Sequence, residues 1–105
     1  PVLRPDFAAL GAGAGESFRI VHLVYAPGSD SPAQVSVAGS FNGWRAGEIP
    51  MRREGENWRA VLILPPGSYE YMFIEDGDRW VTDPGASHTR EDGFGGRNAV
   101  LDVDA

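Results

Sequence analysis

Fifteen carboxylates and two histidines are the groups in this chain most able to move protons, and their spacing does not build a catalyst. Hydrolysis of a glycosidic bond needs two carboxyl groups roughly 5 to 10 Å apart across that bond, one of them kept protonated by burial. Glu75, Asp76 and Asp78 cluster, but at a turn, where exposure predicts ordinary acidity. Asp83, Ser87 and His88 supply the residue types of a nucleophilic triad, yet neighbours in one loop rarely reach its geometry. His22 stands alone in an apolar run, and two histidines without a cysteine do not predict a transition-metal site. Asp76-Gly77-Asp78 is too short for a calcium loop, and Gly11-Ala12-Gly13-Ala14-Gly15 lacks the strand before and the helix after that a phosphate loop requires. No catalytic residue, metal or cofactor is therefore expected.

Binding chemistry is better supplied. Trp58 begins an apolar run and shares its alternation phase with Ala60, Leu62 and Leu64, which predicts a core position. Trp44 instead follows Phe41-Asn42-Gly43, a turn sequence whose Asn and Gly tolerate positive φ, and Trp80 follows the turn at Asp76-Gly77-Asp78. Large rings on loop edges are costly to leave in water, so two of them predict either a covered surface or a cap folded back on the core. A pyranose suits such rings, because its face presents C–H groups and its edge hydroxyls. One ring face, about half of a tryptophan's ~200 Å² at ~25 cal/mol/Å², is worth about 2 kcal/mol. Two or three rings would supply roughly 4 to 6 kcal/mol against an association cost of similar size, which predicts weak binding strengthened on a polymer.

The elements that would carry these rings are strands. Phe18 to Tyr25 reads as a buried strand ending at Ala26-Pro27-Gly28, and Gln34 to Ala38 as a second with Val35 and Val37 on one face. Trp58 to Leu64, the turn Pro65-Pro66-Gly67-Ser68 and Tyr69 to Glu75 read as a β-hairpin. In its second arm Tyr69, Tyr71 and Phe73 oppose Glu70, Met72 and Ile74. Ala99 to Val103 is a final strand, and Asp83 to Arg97 is a long connection of the kind that often carries function. About seven short strands separated by glycine and proline predict an all-β, antiparallel sandwich. Residues 1–16 read as a flexible tail or linker, leaving 17–105 as one domain.

The totals narrow the partners. A net charge of −6 repels nucleic acid but does not penalise a neutral ligand. No apolar stretch approaches the roughly 20 residues that span a bilayer, and no signal sequence opens the chain. The absence of cysteine leaves the redox compartment open; a cytoplasmic setting is the expectation. The start at Pro1 is what a processed product or a piece of a longer protein would show.

The run Val35-Ser36-Val37-Ala38-Gly39-Ser40-Phe41-Asn42-Gly43-Trp44, the segment Leu64-Pro65-Pro66-Gly67-Ser68-Tyr69-Glu70-Tyr71, and Asp76-Gly77 followed by Trp80 and Asp83-Pro84 resemble a known family. They are similar to the glycogen-binding domain of the AMP-activated protein kinase beta subunit and to carbohydrate-binding module family 48, over about residues 18 to 103. The resemblance implies an immunoglobulin-like, early-set sandwich that binds glycogen, starch or maltooligosaccharides without catalysis. It implies that Trp44 and Trp80 stack on sugar, that Phe94 stands where the kinase subunit has a sugar-contacting leucine, and that Asn98 matches a sugar-binding asparagine. Met72 replaces the family's lysine, Gly96 replaces its loop threonine, and Arg79 makes its turn one residue longer. These changes remove polar contacts, so the site is expected to lean on stacking, with Arg79 or Arg97 as a replacement cation. The alternatives are a structural or protein-interaction module without sugar affinity, or the accessory domain of an α-glucan-processing enzyme. A further domain or partner enzyme is expected alongside.

Overall fold

In a computed structural model of the chain, the residues described are 17–28 and 31–104, together with the short strand Val2–Leu3. Among them are ten strands and no α-helix: β1 (Val2–Leu3), β2 (Arg19–Tyr25), β3 (Val35–Gly39), β4 (Ile49–Pro50), β5 (Arg52–Glu54), β6 (Asn57–Leu64), β7 (Gly67–Glu75), β8 (Arg79–Val81), β9 (Thr89–Glu91) and β10 (Arg97–Val103). Apart from Val2–Leu3, the stretch read as a tail lies outside the described residues.

Two sheets form. In the first, β6 lies between β2 on one edge and β5 with β1 on the other; only the β1–β6 pairing is parallel. The second runs β4-β3-β7-β10-β9, with β8 also on β7. β10 pairs with the first half of β7 and β8 with the last three residues of the same edge. The Thr82 hydroxyl joins these two strands by donating to the Arg97 carbonyl at 2.7 Å.

Alternation explains what lies between the sheets. β6 turns Trp58, Ala60, Leu62 and Leu64 inward, and β7 turns Tyr69, Tyr71 and Phe73 to meet them. Burying a side chain of this size contributes about 1.5–3 kcal/mol. The Tyr25 and Phe73 rings lie 4.7 Å apart and Tyr71 and Phe73 5.6 Å apart, which fastens both sheets to one aromatic centre. The chain thus adopts the expected all-β sandwich. More strands appear than expected because several are two or three residues long, too short for an alternation pattern.

Three expectations are corrected. β6 and β7 are not a hairpin: they belong to opposite sheets, and Pro65-Pro66 is the corner between them. Both edges of β6 are already paired, prolines offer no N–H to a ladder, and the Tyr69 hydroxyl holds the corner by donating to the Pro65 carbonyl at 2.6 Å. β2 is not wholly buried: only Leu23 and Tyr25 are, while Ile20 and Val24, on the other face of this edge strand, and Phe18 just before it stay exposed. Glu75 is not an exposed turn carboxylate. It is 6% exposed and accepts a 2.6 Å hydrogen bond from the Tyr25 hydroxyl across the sandwich.

Candidate functional site

Trp44 is carried by a clamped turn. After β3 the chain makes a 3-10 turn at Ser40–Asn42, and Gly43 (φ 66°) and Trp44 (φ 62°) both enter the left-handed region. Positive φ is costly for an aromatic residue and survives only where the surroundings enforce it. Here buried Asn42 does so: its Oδ1 accepts from the Gly39 amide at 3.1 Å and its Nδ2 donates to the Arg45 carbonyl at 3.0 Å. The Trp44 amide closes the turn on the Gly39 carbonyl at 2.9 Å. Below it, the Phe41 ring packs edge-on against Tyr69.

Trp80 reaches the same face from the other side. Asp76 (φ 52°) and Gly77 (φ 83°) turn the chain from β7 into β8, and Trp80 pairs with Ile74 on the outer face of the second sheet. Alternation sends its neighbour Arg79 the other way, where its Nε lies 3.5 Å from the Glu75 carboxylate. Tyr71 anchors the chain after β8 from the core side, donating to Asp83 Oδ2 at 2.5 Å. Burial, reinforced by that carboxylate, holds the Tyr71 phenol far above its usual range.

The Asp83–Arg97 connection contains an unforeseen strand, β9, which pairs with Arg97–Ala99 of β10. The tip between them, residues 92–96, is organised by Asp92, whose Oδ1 accepts from the Phe94 amide at 2.7 Å and the Gly96 amide at 3.0 Å. Phe94 projects from that tip and is 94% exposed.

These elements enclose a cleft of about 350 Å³ lined by Ser40, Trp44, Glu70, Met72, Trp80, Asp92, Phe94 and Asn98. Five residues singled out in the sequence, Trp44, Met72, Trp80, Phe94 and Asn98, therefore meet at one place. Gly96 and Arg79 do not line it. Gly96 sits behind Asp92, so close that an added Cβ would lie 2.6 Å from Asp92 Oδ2. Arg97 is bound to the Thr89 hydroxyl at 2.6 Å. Neither arginine expected as a replacement cation lines the cleft. Sequence reasoning passed over Ser40, Glu70 and Asp92; only Glu70 had a visible signal, its shared alternation phase with Met72. Trp58 is 7% exposed, in the core as expected.

The triad types are separately engaged. Asp83 serves Tyr71 and the Gly85 amide, whereas His88 Nε2 lies 2.8 Å from Asp102 Oδ2. That contact, with help from Ser68, holds the Asp102 carboxyl below the usual range. Among the described residues no group of three or more histidine, cysteine or acidic side chains is arranged to hold a metal ion.

Two exposed indoles and a phenylalanine around a concave surface that also carries Glu70 and Asn98 can grip a hydroxyl-edged ligand with apolar faces. The model of the glycogen recognition site of AMP-activated protein kinase matches residues 28–105. The chain belongs to this family. All the cleft residues of this glycogen-recognition domain fall within the match. Relatives include 5'-AMP-activated protein kinase subunit beta-1 of Sus scrofa, 41% identical over 51 residues, covering 49% of this chain and 39% of that protein. Subunit beta-2 of Homo sapiens and of Mus musculus are each 39% identical over 56 residues, covering 53% of this chain and 20% of theirs. The chain thus spans well under half the length of these relatives. The family role is non-catalytic recognition of glycogen.

Proposed function

We propose that residues 17–105 bind α-glucan chains in the cleft between Trp44 and Trp80, and so bring an attached or partner protein to the polymer without acting on it chemically. The observation that carries this reading is the convergence of Trp44, Trp80 and Phe94, respectively 36%, 43% and 94% exposed, on one cleft floored by Met72, Glu70 and Asn98. Exposed rings of that size around a concavity favour a ligand with apolar faces. The Asn98 amide and the Glu70 carboxylate suit its hydroxyl edge. Because the matched relatives are kinase subunits, an associated catalytic subunit is the partner we infer.

The test is to titrate maltoheptaose or soluble glycogen while following tryptophan fluorescence. A saturable change is expected in the wild type. Trp44→Ala and Trp80→Ala should each weaken binding by about 2 kcal/mol, roughly 30-fold. Trp58, buried in the core, should contribute a signal that the sugar does not move. Absence of a saturable change in the wild type would overturn the reading in favour of a protein-interaction module.

A further inference from the structure

The cleft is walled by rings but has few polar groups, and most of those are engaged in holding the protein itself. Asp92 Oδ1 accepts two amides of its own hairpin tip, and Ser40 Oγ accepts from the Glu70 amide at 3.1 Å. Glu70 differs. It rises from β7 into the cleft that the indoles line, its side chain 27% exposed, and two donors grip it. Arg90 Nη1, from β9, donates to Oε2 at 3.0 Å, and Asn98 Nδ2, from β10, donates to Oε1 at 3.2 Å.

A carboxylate has about four lone-pair sites. Each Glu70 oxygen uses one on these protein donors, which leaves each an acceptor site for a ligand. The ligand geometry follows from covalent chemistry. In an internal unit of an α-1,4-linked glucan, O1 and O4 are consumed by the linkages, so O2 and O3 are the adjacent hydroxyls left free. A sugar ring stacked on Trp44 or Trp80 can turn that edge toward the sheet, where paired hydroxyl donors match paired carboxylate acceptors. Hydrogen bonds to an ionised acceptor are the stronger kind.

We propose that Glu70 is the hydrogen-bonding anchor of the cleft, its two oxygens accepting from the adjacent hydroxyls of one glucose unit, and that Arg90 is the positioning residue that holds the carboxylate in place. This rests on the reading that the cleft binds glucan. Arg90 compensates the charge of Glu70 beside apolar Met72, which a lone carboxylate there would lack. Like other charge-assisted pairs, Arg90 and Glu70 should act as a unit.

The experiment is calorimetric titration of wild type, Glu70→Gln, Arg90→Met and the double variant with maltoheptaose and with its analogue built from 2-deoxyglucose units, with Tm measured for each. Wild type should bind the deoxy analogue roughly tenfold more weakly than maltoheptaose. Glu70→Gln should lose most of that discrimination and bind both ligands weakly. Arg90→Met should shift binding in the same direction, and the double variant should be no weaker than Glu70→Gln, with Tm little changed throughout because the pair is partly exposed. If Glu70→Gln keeps both the affinity and the discrimination of wild type, the anchor is refuted while the cleft reading stands. If Arg90→Met lowers Tm but leaves binding untouched, the positioning role is refuted. A wild type that binds no maltoheptaose removes both readings together.

Discussion

Trp44 combines a functional ring with an unfavourable backbone. Its φ of 62° belongs to the region that glycine occupies freely, and it is held there by Asn42 and the bond to the Gly39 carbonyl. Ring and backbone can be separated by substitution. Trp44→Gly and Trp44→Ala both remove the stacking surface and should lose maltoheptaose affinity equally. Trp44→Gly fits the left-handed conformation, so it should be more stable than Trp44→Ala by about 1 kcal/mol in denaturant unfolding. An alanine variant as stable as the glycine variant would show that the turn imposes no strain. The exposure of Trp44 was legible in Asn42-Gly43; the positive φ of Trp44 itself was not, because it is held by contacts of Asn42 with Gly39 on one side and Arg45 on the other.

At the level of elements, the cleft depends on how closely β3 lies against β7. Gly39 pairs with Tyr71, and a Cβ added there would sit 2.4 Å from the Glu70 carbonyl oxygen and 2.7 Å from the Phe41 ring. Its φ of −167° is ordinary extended backbone, so the requirement is steric. Gly39→Ala should destabilise the domain by about 1–3 kcal/mol in urea unfolding. It should also weaken glucan binding more than a distant substitution of equal stability cost, since the displaced carbonyl belongs to Glu70 and the Trp44 turn starts at Gly39. The hairpin β9–β10 was invisible in the sequence for a related reason. Thr89-Arg90-Glu91 has no apolar alternation, and its pairing with Arg97–Ala99 is paid for by a partner strand and the Asp92 side chain.

For the whole molecule, Tyr25 and Glu75 form a hydrogen bond between the two sheets. Burial, then the bond and charge of Glu75, push the Tyr25 phenol from 10.0 up to about 12. Because the folded-state value lies above the unfolded one, this contribution is complete below pH 10 and is lost as pH rises through about 12. Thermal unfolding measured from pH 8 to 12 should therefore show Tm falling above pH 10, with a loss on the order of 2 kcal/mol from Tyr25. Tyr25→Phe should lower Tm at pH 7, because buried Glu75 loses a donor, and should flatten the alkaline slope. An unchanged slope would assign the alkaline loss elsewhere, with Tyr71 the next candidate since burial raises it too.

Sequence alone determined the all-β class, the core placement of Trp58, and the choice of Trp44, set on a turn, and Trp80, which follows one but lies in strand β8, as the exposed rings. Those properties are local, written in a two-residue period and in Asn and Gly beside the rings. Tertiary structure decided which strands share a sheet, and with that which side chains share a face. Pro65-Pro66 looks the same in a hairpin as in a corner; with both edges of β6 taken by β2 and β5, β7 has no place beside it and joins the other sheet. Likewise Arg79 adjoins Trp80 in the chain yet faces Glu75, while Arg90, twenty residues from Glu70, becomes its partner. Neighbouring positions on a strand point to opposite faces, so closeness in sequence separates side chains that only the fold can reunite.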